Sequence, residues 1–145
     1  MDTEKYTEHK HIAKYISQLY RKGSSYINKE ISKYGIGSGQ FMFLLELYKK
    51  DGKNQEEIAE DLKMDKGTTA RALKKLEEQG FVTRIKDVND KRANKIYLNN
   101  KAKEVEDGVL DVLIDWNKQI TKTLTKEEED VLKNLLEKVC DNITI

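Results

Sequence analysis

Lys66, Thr68, Thr69 and Arg71 crowd into six residues behind Asp65, an aspartate able to start a helix. Threonine hydroxyls can hydrogen-bond base edges or phosphates, and their methyl groups can touch thymine. Arginine pairs bidentately with guanine, worth about 1–3 kcal/mol of discrimination. Residues 68 and 71 are one helical turn apart, so both can face a groove while Ala70 and Leu73 face a core. Lys74 and Lys75 follow at positions suited to phosphates. For each threonine the plain alternative is helix filler. The surrounding charge favours the chemical reading. Residues 63–95 hold ten basic and five acidic side chains, which leaves 17 basic against 21 acidic elsewhere in a chain of 27 and 26. A basic module inside an acidic body is the pattern of a phosphate-binding footprint. Any one of these lysines could equally belong to a solvated face.

Two short helices and a hairpin must hold these groups. Asn54 can cap the first helix, with Glu57 three residues on completing a capping box, and Ile58, Ala59 and Leu62 mark its apolar face. Lys63-Met64 makes the turn. Asp65 caps the second helix, whose expected apolar face is Ala70, Leu73 and Leu76. Gly80 ends it in the left-handed conformation, with Phe81 touching Leu76 as in a Schellman ending. The period then changes to two. Thr83 and Ile85 alternate with Val82, Arg84 and Lys86, and after a loop over 87–94, Ile96 and Leu98 alternate with Lys95 and Tyr97. This is a hairpin with a polar tip.

Long helices flank the module. A helical pattern runs from about Glu4 to Tyr34, weakened at Gly23-Ser24-Ser25, where a bend is possible. Its apolar residues are Ile12, Ile16, Leu19, Ile27 and Ile31. Gly35–Gly39 is a breaker, and Ser38 can cap a helix over 40–50 bearing Phe41, Leu44, Leu45 and Tyr48. Asn99 is expected to cap one long helix over 100–122. Thr125 opens the last helix with a capping box to Glu128, and its stripe is Val131, Leu132, Leu135, Leu136 and Val139. Ile143 and Ile145 are apolar for a free tail, which favours burial against a second subunit.

Composition bounds the function. The chain has 145 residues, 37% charged and 37% hydrophobic, so either much helix surface is exposed or a partner completes the core. The first fifteen residues are charged throughout, so no signal peptide is expected. The longest apolar run, Phe41 to Leu45, is too short to span a membrane. A single cysteine suits a reducing cytosol, and a cytoplasmic location is expected. There is no glycine-rich phosphate loop and no catalytic constellation, so an enzyme is not expected, nor any cofactor. No metal site is expected either. His9 and His11, two apart, point to different faces of a helix, and Glu4 or Glu8 would have to help. Cys140, beside Asp141 and near Glu137, reads as a buried inert thiol rather than a redox switch.

The stretch Leu76-Glu77-Glu78-Gln79-Gly80-Phe81-Val82-Thr83-Arg84, then Asp90-Lys91-Arg92, then Ile96-Tyr97-Leu98, resembles the MarR family of winged-helix regulators over nearly the whole chain. Asn99 stands where the family usually has threonine, and Ala102 where it often has glycine. The resemblance implies a mostly α fold with a small β-hairpin wing. Residues 1–37 with 100–145 would form a helical dimerisation region, and 38–99 the winged helix-turn-helix. It also implies Arg92 in the minor groove, Asp90 orienting the wing, and Lys91 and Lys95 near phosphates. The function implied is a transcriptional regulator, a repressor that binds a pseudo-palindromic operator on double-stranded DNA as a homodimer. A small phenolic or lipophilic ligand would release it. A winged helix that binds only protein is the alternative. A ligand pocket walled by Tyr15, Leu19, Phe41 and Leu44 would suit the junction of body and reading lobe, though plain core packing explains the same spacing.

Overall fold

A computed structural model describes residues 11–86, 88–89 and 94–144. Its order is α1 (Ile12–Ile31), a 3-10 turn (Ser32–Tyr34), α2 (Ser38–Lys49), α3 (Gln55–Leu62), α4 (Lys66–Glu78), β1 (Val82–Lys86), β2 (Asn94–Leu98), α5 (Asn100–Glu104), α6 (Glu106–Thr121) and α7 (Lys126–Asn142). This is the mostly helical, winged architecture expected from the sequence.

The helix ends follow the side chains. Asn54 accepts from the Glu57 N–H at 2.8 Å, and Asp65 accepts from the Thr68 N–H at 2.8 Å. Thr125 and Glu128 form the full capping box of α7. Gly80, at φ 83°, closes α4 as a Schellman motif. The Phe81 N–H reaches the Leu76 carbonyl at 2.9 Å, and the Gly80 N–H reaches Glu77 at 3.0 Å. Lys101 covers this ending. Its ammonium lies 4.4 Å from the centre of the Phe81 ring and donates to the Gln79 carbonyl at 2.6 Å.

Four expectations change. Gly37, not Ser38, is the N-cap of α2, because Ser38 is already its first residue. α1 runs unbroken through Gly23, where the missing side chain admits Trp116 of α6; a Cβ there would stand 2.9 Å from the indole. The long helix after Asn99 divides at Val105. The Tyr48 hydroxyl donates to the Ala102 carbonyl at 2.6 Å, the oxygen that an uninterrupted helix aims at the Glu106 N–H. Burial, and then the charge of Glu106, raise the Tyr48 pKa and keep that donor protonated. Finally, Asn99 caps nothing with its side chain. It accepts from the Thr83 hydroxyl at 2.6 Å and donates to the Gly80 carbonyl at 3.1 Å, tying the wing to the end of α4.

The hairpin pairs Val82 with Leu98 and Lys86 with Asn94. Its other edge is also occupied. The Gly52 N–H donates to the Ile96 carbonyl at 2.9 Å and the Ile96 N–H to Lys53 at 2.9 Å, so the segment before α3 serves as a third edge. One core unites the reading lobe with the helices around it: Ile31, Phe43, Leu44, Leu47, Ile58, Leu73, Leu76, Phe81, Ile96 and Val109 are all fully buried. α7 stands apart, with no buried residue.

Candidate nucleic-acid interface

Burial on α4 fixes which side chains can meet a ligand. Its inward stripe is Thr69, Ala72, Leu73 and Leu76, spaced three, one and three. At about 100° per residue, Gly67, Arg71, Lys74 and Glu78 then lie along the opposite, solvent-facing line, with Lys75 beside it. All five are exposed. Thr68 falls on one flank and Ala70, half-buried, on the other. Leu73 and Leu76 lie on the core face as expected, but Thr69 and Ala72 stand on it in place of Ala70.

Thr69 is the consequence. It is fully buried, and its hydroxyl donates to the Asp65 carbonyl at 2.9 Å, so it cannot read a base. Thr68 and Arg71 do come together. The Thr68 hydroxyl donates to Asp65 Oδ1 at 2.7 Å and accepts from Arg71 Nη2 at 3.2 Å. These bonds, the hydroxyl first and then the Thr68 N–H, hold the Asp65 carboxyl below its ordinary range. Arg71 therefore lies over the helix N-terminus, within 3.2 Å of where a Gly67 Cβ would stand. Gly67 was not singled out by the sequence reading; a small residue one turn before an outward arginine is the only signal for it. Lys66 is open to solvent, 3.9 Å from Glu56, a loose contact of little energy. Lys95 is half-buried in β2 opposite Ile85. Asp90, Lys91 and Arg92 lie outside the described residues, as do His9 and Ile145.

A charge cluster that the sequence reading missed anchors this frame. Lys53 donates to Glu46 at 3.1 Å and to Asp61 at 2.8 Å, and Lys49 also reaches Glu46 at 3.1 Å. The Lys53 and Glu46 side chains are both about nine-tenths buried. Asp61 chiefly, then Glu46, raise the Lys53 pKa against the opposing effect of burial. Because the Lys53 carbonyl also pairs with β2, the cluster fastens the wing to α2 and α3. Arg84 adds a second tie, 3.7 Å from Glu77 of α4.

Above the N-terminus of α4 opens a cavity of about 510 Å³, bounded by α1, α2, α6 and the start of α4. Of the four residues named for a pocket, Leu19 and Phe41 line it. Tyr15 and Leu44 do not: Leu44 is fully buried in the core, and Tyr15 is half-exposed one turn before Leu19. Trp116, stacked on Tyr26 at 5.7 Å, forms one wall, and Met64 and Thr68 form the floor toward α4. Cys140 is exposed in the single chain, not buried.

A capped outward-facing helix beside a paired wing defines a winged helix-turn-helix protein. Comparison with known proteins gives the same class. The MarR family model matches residues 36–93. The HTH-type transcriptional regulator YybA of Bacillus subtilis is 32% identical over 91% of this chain and 88% of its own length. The regulator BilQ of Clostridium symbiosum is 29% identical over 86% and 88%. Among solved structures, a MarR transcriptional regulator of Methanosarcina mazei Go1 is 43% identical, with a TM-score of 0.83 over 90% of this chain and 94% of its own. A MarR-family regulator of Listeria monocytogenes, solved with a 26-mer DNA, is 27% identical with a TM-score of 0.86 over 92% and 89%. The chain belongs to the MarR family and is a transcriptional regulator of that type.

Proposed function

We propose that the protein is a homodimeric repressor that binds a pseudo-palindromic operator. The observation that carries this reading is the outward line of α4, where Arg71 and Lys74 stand free of the core above a firmly capped N-terminus. Arg71 and Thr68 read base edges in the major groove, while Lys66, Lys74 and Lys75 meet phosphates. In the wing, Arg92 enters the minor groove, oriented by Asp90, with Lys91 and Lys95 at the backbone. Residues 38–99 form the reading domain, and 1–37 with 100–145 the dimerisation region.

Dimerisation is supported by unpaired apolar surface. Val131, Leu135 and Val139 of α7 are each about half-exposed, and Ile12 and Tyr20 of α1 are three-quarters exposed. Two faces of this kind from one chain match the demands of a symmetric interface. The solved Listeria relative with DNA supports the choice of duplex DNA as partner. Occupation of the cavity above α4 by a small aromatic or lipophilic ligand releases the operator. Deleting residues 124–145 tests the arrangement. The full chain should sediment as a dimer and select operators with paired half-sites from genomic fragments, and the truncated chain should be monomeric or insoluble. A truncated chain that stays a soluble dimer would refute the assignment.

A further inference from the structure

Arg71 does not stand straight out from α4. Helical side chains lean toward the N-terminus, so a side chain at 71 lies back over positions 67 and 68, one turn earlier. Position 67 is glycine, and its missing side chain makes room. A Cβ there would stand 3.2 Å from Arg71 Nη1 and 3.3 Å from Asp65 Oδ2. Gly67 is thus the bed of a notch, with a guanidinium on one side and a carboxylate on the other. The backbone does not demand glycine here. The glycines in left-handed conformation are Gly35, Gly52 and Gly80, and alanine would be the better helix former at 67.

Thr68 fixes the guanidinium within this notch. Its hydroxyl proton goes to Asp65 Oδ1 at 2.7 Å, and its lone pair accepts from Arg71 Nη2 at 3.2 Å. Asp65 is held in turn by the Thr68 N–H at 2.8 Å, so the chain from carboxylate to hydroxyl to guanidinium is anchored in the backbone. With its proton committed, Thr68 offers a base its methyl group, and its oxygen serves Arg71. An untethered arginine beside DNA is drawn to phosphates, which it meets at any sequence. An arginine tethered at Nη2 keeps the rest of its fork for O6 and N7 of guanine, which require one plane and one approach. We propose that Gly67 and Thr68 are positioning residues that set the operator specificity of Arg71, holding its guanidinium toward a guanine edge and away from the phosphates. This rests on the reading of Arg71 as a base reader and names what aims it.

The full chain and its variants are tested on a randomised duplex pool, then on duplexes carrying each single-base change in the selected site. Arg71→Ala should lower the preference for one guanine per half-site by about fivefold or more. Gly67→Ala and Thr68→Val should each lower preference at that same position and at no other. Their affinity for random duplex should hold or rise, because the released guanidinium can reach a phosphate. Thr68→Ser keeps the hydroxyl and should keep the preference. Gly67→Ala should melt no lower than the parent, because alanine favours the helix. Discrimination lost without loss of stability is a combination that a merely structural glycine would not give. In an Arg71→Ala background neither change should alter the preference further.

Preference left intact by Thr68→Val, or lost equally in Thr68→Ser, would overturn the inference and leave base reading by Arg71 standing. Affinity lost uniformly over all duplexes would also overturn it, since that marks the general fit of α4 to the groove. If Gly67→Ala melts lower than the parent, the notch is ordinary packing and its part in the inference fails. If Arg71→Ala changes preference at no position, the base reading fails and the inference fails with it.

Discussion

Two adjacent threonines illustrate how finely the recognition helix is set. Thr68 and Thr69 are identical in type and neighbours in sequence, yet one supports an outward arginine and the other is sealed in the core. Local sequence could not divide them, because Ala70 and Ala72 are both small enough to sit on either face. The inward stripe is decided by what Leu73 and Leu76 pack against. The two sites should therefore respond differently to substitution. Arg71→Ala should relax sequence preference at one position per half-site and cost about 1–3 kcal/mol in operator affinity. Thr69→Val should leave sequence preference intact and lower stability by about 1 kcal/mol, the net worth of one buried hydrogen bond. Operator-variant binding panels and thermal melts separate the outcomes. Lys53 gives a pH test. Its folded pKa is raised above the ordinary 10.5. The stability it contributes is thus fully present below that value and is lost as pH rises through the folded pKa. Lys53→Met should melt well below the parent at pH 7, and the gap should narrow as pH climbs past 10.5. A gap independent of pH would show that packing of the stem, not the charge cluster, holds the wing.

Helix ends whose signals are local could be read directly. The caps at Asn54, Asp65 and Thr125 and the Schellman close at Gly80 each depend on residues within about four positions, and each forms, although of the capping box expected at Asn54 and Glu57 only the Asn54 side chain's bond is made. The features that escaped the sequence reading are long-range. The break at Val105 coincides with a hydrogen bond to Ala102 from the hydroxyl of Tyr48, 54 residues before that alanine, and the side chain of Asn99 turns toward Thr83, 16 residues back. Gly23 resembled a weak point in α1 and is instead a seat for Trp116. Two substitutions test elements rather than single contacts. Gly80→Ala forces a side chain into left-handed backbone and should cost about 1–2 kcal/mol. Gly108→Val places its Cβ against the Tyr34 ring, prising α6 from the end of α1, and should destabilise more. Denaturant melts rank the two. If Gly108→Val proves the milder change, the packing of Tyr34 on α6 is not the tight junction described.

At the scale of the whole molecule, the charged module and the unpaired apolar helices belong to one design. Among the described residues α7 makes its own cap yet buries none of its stripe, and this exposed face supports the proposed pairing with a second copy. The sequence showed the stripe and the apolar tail, but a stripe alone does not distinguish an internal contact from one between subunits. If two copies pair through these helices, each presents one α4, and duplex DNA must span both. The central claim is therefore that this regulator grips the phosphate backbone with two basic modules. It is tested most directly by measuring affinity for a genomically selected operator between 50 and 300 mM salt. Each phosphate neutralised contributes about −0.9 to the slope of log K against log salt. With Lys66, Lys74 and Lys75 alone engaged on both subunits, the slope should be near −5 or steeper, and Lys74→Ala should make it shallower by about two per dimer. A slope near zero, or no duplex bound at the lowest salt, would contradict the account.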